Sequence, residues 1–222
     1  MIRHIRQVLT PDEIAWLVEL SNKVRFVDGR ATNPDSTVKH NLQVSHQDPS
    51  AAEPGTILRD ALFRHPDIRA FALPRQMARP TLARYEAGMT YGWHVDEALF
   101  PSTPPMRSDL SCTVWLTPPG DYDGGELTIQ LGGQQLSFKG EAGDAILYPS
   151  TTIHQVAPVT RGQRLVGITW IQSYLADPFQ RELLLQLEEA RAIEMRDDRR
   201  DPRMLVLLES LRTNLFRLWS DA

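Results

Sequence analysis

Cysteine is almost missing from this chain: Cys112 is the only one among 222 residues. A lone thiol excludes an internal disulfide and every cysteine-rich zinc or iron–sulfur site, and it fits a reducing compartment. A basic excess is missing as well. Lys and Arg number 24 against 28 Asp and Glu, for a net charge of −4, and the two signs are well mixed along the chain. Nucleic acid is therefore not expected as the main partner, because phosphate binding needs a basic surface. No apolar run is long enough to cross a bilayer, and no internal repeat is visible. The opening MIRHIRQVLTPDE is basic but lacks the apolar segment of a signal peptide. These absences lead to the expectation of a cytoplasmic protein with no membrane partner.

What is present is enough for a core. Apolar residues make up 41% of the chain, and the length suggests one domain with a small appendage. Thr10-Pro11-Asp12-Glu13 reads as a capped helix start, followed by Ile14, Leu17 and Val18 at helical spacing. Residues 28–55 are polar and rich in turn formers, with a short extended piece near Val38 to Val44. Thr56 to Phe63 and Ile68 to Ala72 read as helical. From Pro80 the pattern turns to short strands: Thr81 to Tyr85, Trp93 to Glu97, Leu110 to Leu116, Glu126 to Leu131, Gln135 to Phe138, Asp144 to Tyr148, Ile153 to Pro158 and Arg164 to Gln172. Asp123-Gly124-Gly125 reads as a hairpin joining the third of these to the fourth. Glu97 to Met106, with three prolines, reads as loop. Such spacing favours a sandwich or barrel over a parallel sheet. Phe179 to Met195 and Met204 to Trp219 read as two final helices. The second carries a stripe of Leu208, Leu211, Leu215 and Leu218, which either packs internally or joins two copies of the chain.

His94-Val95-Asp96, then His154, then Arg164, is the pattern that carries chemistry. Side chains two apart on a strand point the same way and stand ~6–7 Å apart, so one ion can bridge His94 and Asp96. Two histidines and a carboxylate fill one face of an octahedron and leave the other open. His154 follows a turn, an apolar strand and Pro149. Arg164 opens a strand expected to lie beside that of His154. If it faces inward, its guanidinium needs a carboxylate, which a bound dicarboxylate would supply in bidentate fashion; if it faces outward, it is a surface arginine. Trp93 and Trp115 either line the pocket or are core. Glu97, Phe100 and Arg107 form either a substrate rim or plain surface. Lys39, Asn41 and Gln43, alternating near that rim, read as solvated or structural. His40, His46 and His65 read as surface.

The stretches RYEAGMTYGWHVDEA, SCTVWLTPPGDYDGGEL and GDAILYPSTTIHQVAPVTRGQR closely resemble the iron(II)/2-oxoglutarate dioxygenases of the prolyl/lysyl hydroxylase (PKHD-type) group, above all the bacterial members linked to iron uptake. The strong match covers about residues 80–174. The resemblance implies an α+β chain with a double-stranded β-helix (jelly roll) core, supporting N-terminal helices and a C-terminal helical extension. The division it suggests is 1–176 for the dioxygenase and 177–222 for the extension. It implies His94, Asp96 and His154 as catalytic iron ligands, Arg164 as the partner of the distal 2-oxoglutarate carboxylate, and Tyr85 as a second donor there, unless that tyrosine is only core. It also implies O2 and L-ascorbate (vitamin C) as co-reactants and a small-molecule or peptidyl substrate. Asp96 disfavours halogenation, since related halogenases lack that carboxylate. Two other functions are weighed against this one: a non-catalytic jelly-roll sensor of metal or 2-oxoglutarate, and a zinc hydrolase, which lacks an evident general-base glutamate. A homo-oligomer through the C-terminal helices is a further expectation.

Overall fold

Thr10 starts the first helix as its sequence suggests: its hydroxyl caps Glu13 N–H while the Glu13 carboxylate returns to Thr10 N–H, a device worth about 1 kcal/mol. The computed structural model describes residues 2–45 and 48–220; His46 lies outside the described residues. Strand β1 (Arg3–Ile5) precedes this helix, α1 (Pro11–Ser21). Then come β2 (Phe26–Asp28), β3 (Lys39–His40), β4 (Leu42–Val44), α2 (Ala52–Arg64), α3 (Pro66–Ala72) and β5 (Pro74–Met77). The strand-rich region holds β6 (Thr81–Glu86), β7 (Thr90–His94), β8 (Leu99–Phe100), β9 (Met106–Arg107), β10 (Leu110–Trp115), β11 (Asp123–Gly124) and β12 (Leu127–Leu131). It continues with β13 (Gln134–Phe138), β14 (Ala145–Pro149), β15 (His154–Val156), β16 (Val159–Arg161) and β17 (Gln163–Ser173). Helices α4 (Pro178–Arg196) and α5 (Pro202–Trp219) follow.

Two antiparallel sheets form a jelly roll. The larger runs β1-β14-β10-β17-β6-β4-β2, with β5 also paired to β17; the smaller runs β13-β12-β15-β7-β3. Side-chain parity sorts the larger sheet's residues into two cores. Cys112, Val114, Leu147 and Leu165 face outward onto Leu17, Leu58, Leu62 and Phe71 of the three N-terminal helices. Trp115, Ile146, Tyr148 and Val166 face inward against Leu127, Ile129 and Val156 of the smaller sheet. Gly167 allows α2 to approach β17, since a Cβ there would stand 2.7 Å from Leu58 Cδ1. Arg64 at the end of α2 grips Glu13 of α1 through both guanidinium nitrogens.

Two pairings differ from the sequence reading. β17 does not neighbour the His154 strand: it lies between β10 and β6 in the larger sheet, while β15 pairs with β12 and β7 in the smaller one. Asp123-Gly124-Gly125 is not a hairpin between β10 and β12 either; the chain crosses there from one sheet to the other, and Asp123–Gly124 pairs with β16. Local turn chemistry marks where a strand ends but not which strand it meets next. The Pro-rich segment 97–106 also carries more order than expected, as β8 and β9 pair across it.

The last two helices start on aspartate caps, Asp177 and Asp201. Arg181, 3% exposed, moors α4 by donating to the Leu175 and Ala176 carbonyls at 2.6 and 2.9 Å. α5 packs on α4 with ion pairs of Glu188 to Arg212 and of Arg191 to Glu209. Leu208 and Leu215 are partly covered, whereas Leu211 and Leu218 stay exposed. No helix among the described residues is long and apolar enough to cross a membrane.

Candidate metal centre and its pocket

His94 ends β7, and its direction is set by a bulge. His154 pairs with His94 and Val156 with Tyr91, so two steps on β15 oppose three on β7. Such an extra residue re-aims the side chains that follow it. Without it, Tyr91 and Trp93 would share a face; with it, Tyr91 and His94 both point inward, their rings stacked 3.5 Å apart and within 8° of parallel. Trp93 is left exposed, outside the pocket. Asp96 lies just past the strand end, not within a strand from Trp93 to Glu97.

Three side chains converge here. One ligand atom each from His94, Asp96 and His154 lies within 4.8 Å of the other two. The two Asp96 oxygens stand 3.9 Å from His94 Nε2 and 3.7 Å from His154 Nε2. Each imidazole is oriented through its other nitrogen, His94 Nδ1 against Gly92 O at 2.8 Å and His154 Nδ1 against Thr152 O at 3.0 Å. A nitrogen facing a carbonyl must carry the proton, so both Nε2 atoms present lone pairs to the centre. Burial, with His154 alongside, pushes the His94 imidazole down to about 4, which leaves it neutral at ordinary pH, the form that ligates. Asp96 is held from the opposite sheet, where Ser111 Oγ donates to its Oδ2 and also meets Ser150 Oγ at 2.8 Å.

Arg164 and Tyr85 are partners across β17 and β6. Arg164 shares inward parity with Val166. It is 1% exposed, its guanidinium lies 5.0 Å from the centroid of the Tyr85 ring, and its Nε has no hydrogen-bond partner among the described residues. The Tyr122 hydroxyl, facing Arg164, and the Asn41 amide, facing Tyr85, are buried without a well-formed hydrogen bond among the described residues. Burial pushes the Tyr85 phenol up, with Arg164 opposing, so it stays a donor. Unmatched donors around a buried cation fit a carboxylate and would be costly without one. Gly125, at φ +68°, lets the chain pass: a Cβ there would meet Val159, Arg164 Cδ at 3.0 Å and Tyr122. The two imidazole nitrogens with one carboxylate fit a divalent transition metal, and the donors around Arg164 fit a carboxylate.

The weaker candidates fall on both sides. Trp115 is fully buried in the core, Phe100 lies against Trp170 with ring centroids 4.8 Å apart, and Glu97 is exposed. Arg107 bonds Asp109. Lys39, Asn41 and Gln43, read as solvated or structural, are each 4% exposed. β3 and β4 carry the chain from the smaller sheet to the larger, and these alternate residues line the inner side of that crossing. His40 is exposed and His65 half-buried. The roles of Ser111, Tyr91, Tyr122 and Gly125 at this site were not read from the sequence, where Gly125 figured only as part of a turn. The parity of Ser111 with Trp115 was the one available signal.

Comparison with known proteins agrees with this geometry. Residues 80–172 match the 2OG-Fe(II) oxygenase superfamily. A PKHD-type hydroxylase of Sphingopyxis alaskensis is 42% identical, over 96% of this chain and 97% of that protein. One of Burkholderia lata is 40% identical, over 100% of both chains. Among solved structures, a prolyl hydroxylase of Trichoplax adhaerens, in complex with a hypoxia inducible factor peptide fragment, shares the fold with a TM-score of 0.59 at 15% identity, over 77% of this chain and 82% of that one. The chain belongs to the PKHD-type hydroxylases of the 2OG-Fe(II) oxygenase superfamily.

Proposed function

We propose that His94, Asp96 and His154 bind one ferrous ion on a single face, that Arg164 with Tyr85 receives the distal carboxylate of 2-oxoglutarate, and that the loaded pocket hydroxylates a small molecule or peptidyl side chain. The observation that carries this reading is the convergence of three ligand atoms within 4.8 Å, both imidazoles locked through Nδ1. When bound, iron and 2-oxoglutarate supply oxygen activation, with release of succinate and carbon dioxide and transfer of one oxygen atom to a C–H bond. The chain's own groups do the rest. Ser111 keeps Asp96 turned toward the centre, Tyr91 backs His94, and Tyr148 packs edge-on against His154 at 4.9 Å. Arg164, buried beside Tyr85 and Tyr122, fixes the far end of the cosubstrate so that its near end meets the open face. Ascorbate as the reductant that restores the ferrous state, and a cytoplasmic setting, for which the buried free Cys112 speaks, belong to the same reading.

Residues 1–176 carry this reaction in the proposed division, and residues 177–222 form an extension. The exposed Val206, Leu207, Leu211 and Leu218 of α5 suit a second copy of the chain. The function is tested by succinate release from purified protein with Fe(II), 2-oxoglutarate and a panel of siderophores, peptides and amino acids, read together with a mass gain of one oxygen. Turnover should require both iron and 2-oxoglutarate and vanish in Asp96→Ala. Activity supported by zinc alone would contradict the reading.

A further inference from the structure

Lys39 is a buried cation that the proposed chemistry leaves without a role. It lies on β3, paired in register with Tyr91 of β7. Its Nζ stands 2.8 Å from Thr32 Oγ1 and 3.3 Å from Gln43 Oε1, both neutral acceptors, and it forms no ion pair among the described residues. The same ammonium lies 5.2 Å from the centroid of the Tyr91 ring, the ring that stacks on His94. A cation over an aromatic face is attracted to it. Lys39 thus touches Tyr91, and Tyr91 touches His94. Burial lowers the Lys39 ammonium to about 8 while Asp96 resists the fall, so the charge persists at neutral pH.

A bland role is available: Lys39 could simply clip the short helical turn Gly29–Thr32 to β4. That role gives no reason for a charge, because a buried ammonium with neutral partners costs more than an amide making the same bonds. The charge balance supplies one. A ferrous ion, the Asp96 carboxylate, a 2-oxoglutarate dianion and Arg164 together come to neutrality. Lys39 makes the loaded pocket positive. We propose that Lys39 is a positioning residue that seats Tyr91 against His94 and, through its fixed charge, shifts the pocket's preference from metal cations toward the anionic cosubstrate. This rests on the iron and 2-oxoglutarate reading above.

The prediction has a sign that a structural clip cannot copy. Loss of the charge should tighten a divalent cation and loosen a dianion, whereas loss of packing weakens both. Mn(II) binding, then 2-oxoglutarate binding to the Mn(II)-loaded protein, would be measured calorimetrically at pH 7 in wild type, Lys39→Met, Lys39→Gln and Lys39→Arg. Lys39→Gln keeps an uncharged donor, one bond shorter, and is the variant to trust if Lys39→Met melts early. The expected result for both neutral variants is Mn(II) affinity raised by roughly threefold to tenfold and 2-oxoglutarate affinity lowered by a similar factor, with Lys39→Arg close to wild type in both. Both ligands weakened, or either unchanged, in the neutral variants would overturn the proposal. Failure of the wild type to bind Mn(II) at all would instead strike the underlying metal assignment.

Discussion

Ser111 reaches across from the larger sheet to hold Asp96, which emerges from the smaller one. The carboxylate is therefore aimed by a strand that carries no proposed ligand, and the spacing between the two sheets becomes part of the proposed metal geometry. Ser111→Ala leaves Asp96 without its donor. Supporting hydrogen bonds of this kind are worth about 10-fold or more in metal affinity. Mn(II) titration of Ser111→Ala should show a loss of about that size with an unchanged melting profile; wild-type affinity would remove Ser111 from the site.

In the proposed site, Arg164 serves the cosubstrate and not the metal. Charge-assisted hydrogen bonds are worth about 1.5–3 kcal/mol, so Arg164→Ala should weaken 2-oxoglutarate by roughly 10- to 100-fold while Mn(II) affinity barely moves. Arg164→Lys should recover part of it, since a point charge replaces a planar fork. Unchanged 2-oxoglutarate affinity in Arg164→Ala would show that the carboxylate is held elsewhere.

Gly125 should matter to the same ligand without touching it. Alanine there adds strain at φ +68° and crowds both Arg164 and Tyr122. A loss of about 1–3 kcal/mol of stability is expected, read from urea midpoints, together with weaker 2-oxoglutarate binding. Gly133, which has open space around its Cβ position, is the control: Gly133→Ala should leave cosubstrate binding alone.

A strand-rich sandwich or barrel and the His94/Asp96 pair were legible from short-range signals, whereas the jelly roll itself was implied by the family resemblance of residues 80–174. Capping residues, alternation along β6 and β10, the apolar run of β14 and the His-x-Asp triplet all act within a few positions. What stayed hidden depends on long-range pairing. The placement of β17 away from β15 could not follow from strand spacing, as several sheet orders satisfy the same alternation. The bulge in β7 leaves only Gly92 as a trace, whose missing Cβ would lie 3.0 Å from Val38 Cβ. Lys39, Asn41 and Gln43 read as solvated or structural because polar residues in a polar segment usually are exposed; burial came from β3 and β4 closing the edge between the two sheets.

Acid sensitivity should trace in part to Glu13. Its carboxyl is held down to about 2, chiefly by hydrogen bonds from Arg64, with Thr10 adding to them. The folded value lies below the unfolded one, so the unfolded chain takes up the proton first. The contribution is complete above about pH 4.5 and disappears as pH falls toward 2. Glu13→Gln should lower stability modestly at pH 7, by about 1 kcal/mol, and flatten the decline across that window in urea titrations. Parallel curves for the two proteins would show that the α1–α2 contact does not govern acid unfolding.

The assignment stands most directly on anaerobic titration of metal-free protein with Fe(II), followed by 2-oxoglutarate, watched by visible absorption. One equivalent of Fe(II) should bind, and a charge-transfer band should appear only once 2-oxoglutarate chelates it, with both events lost in Asp96→Ala and His154→Ala. No iron binding by the wild type, or a band that survives intact in those variants, would mean that His94, Asp96 and His154 do not share a ferrous ion.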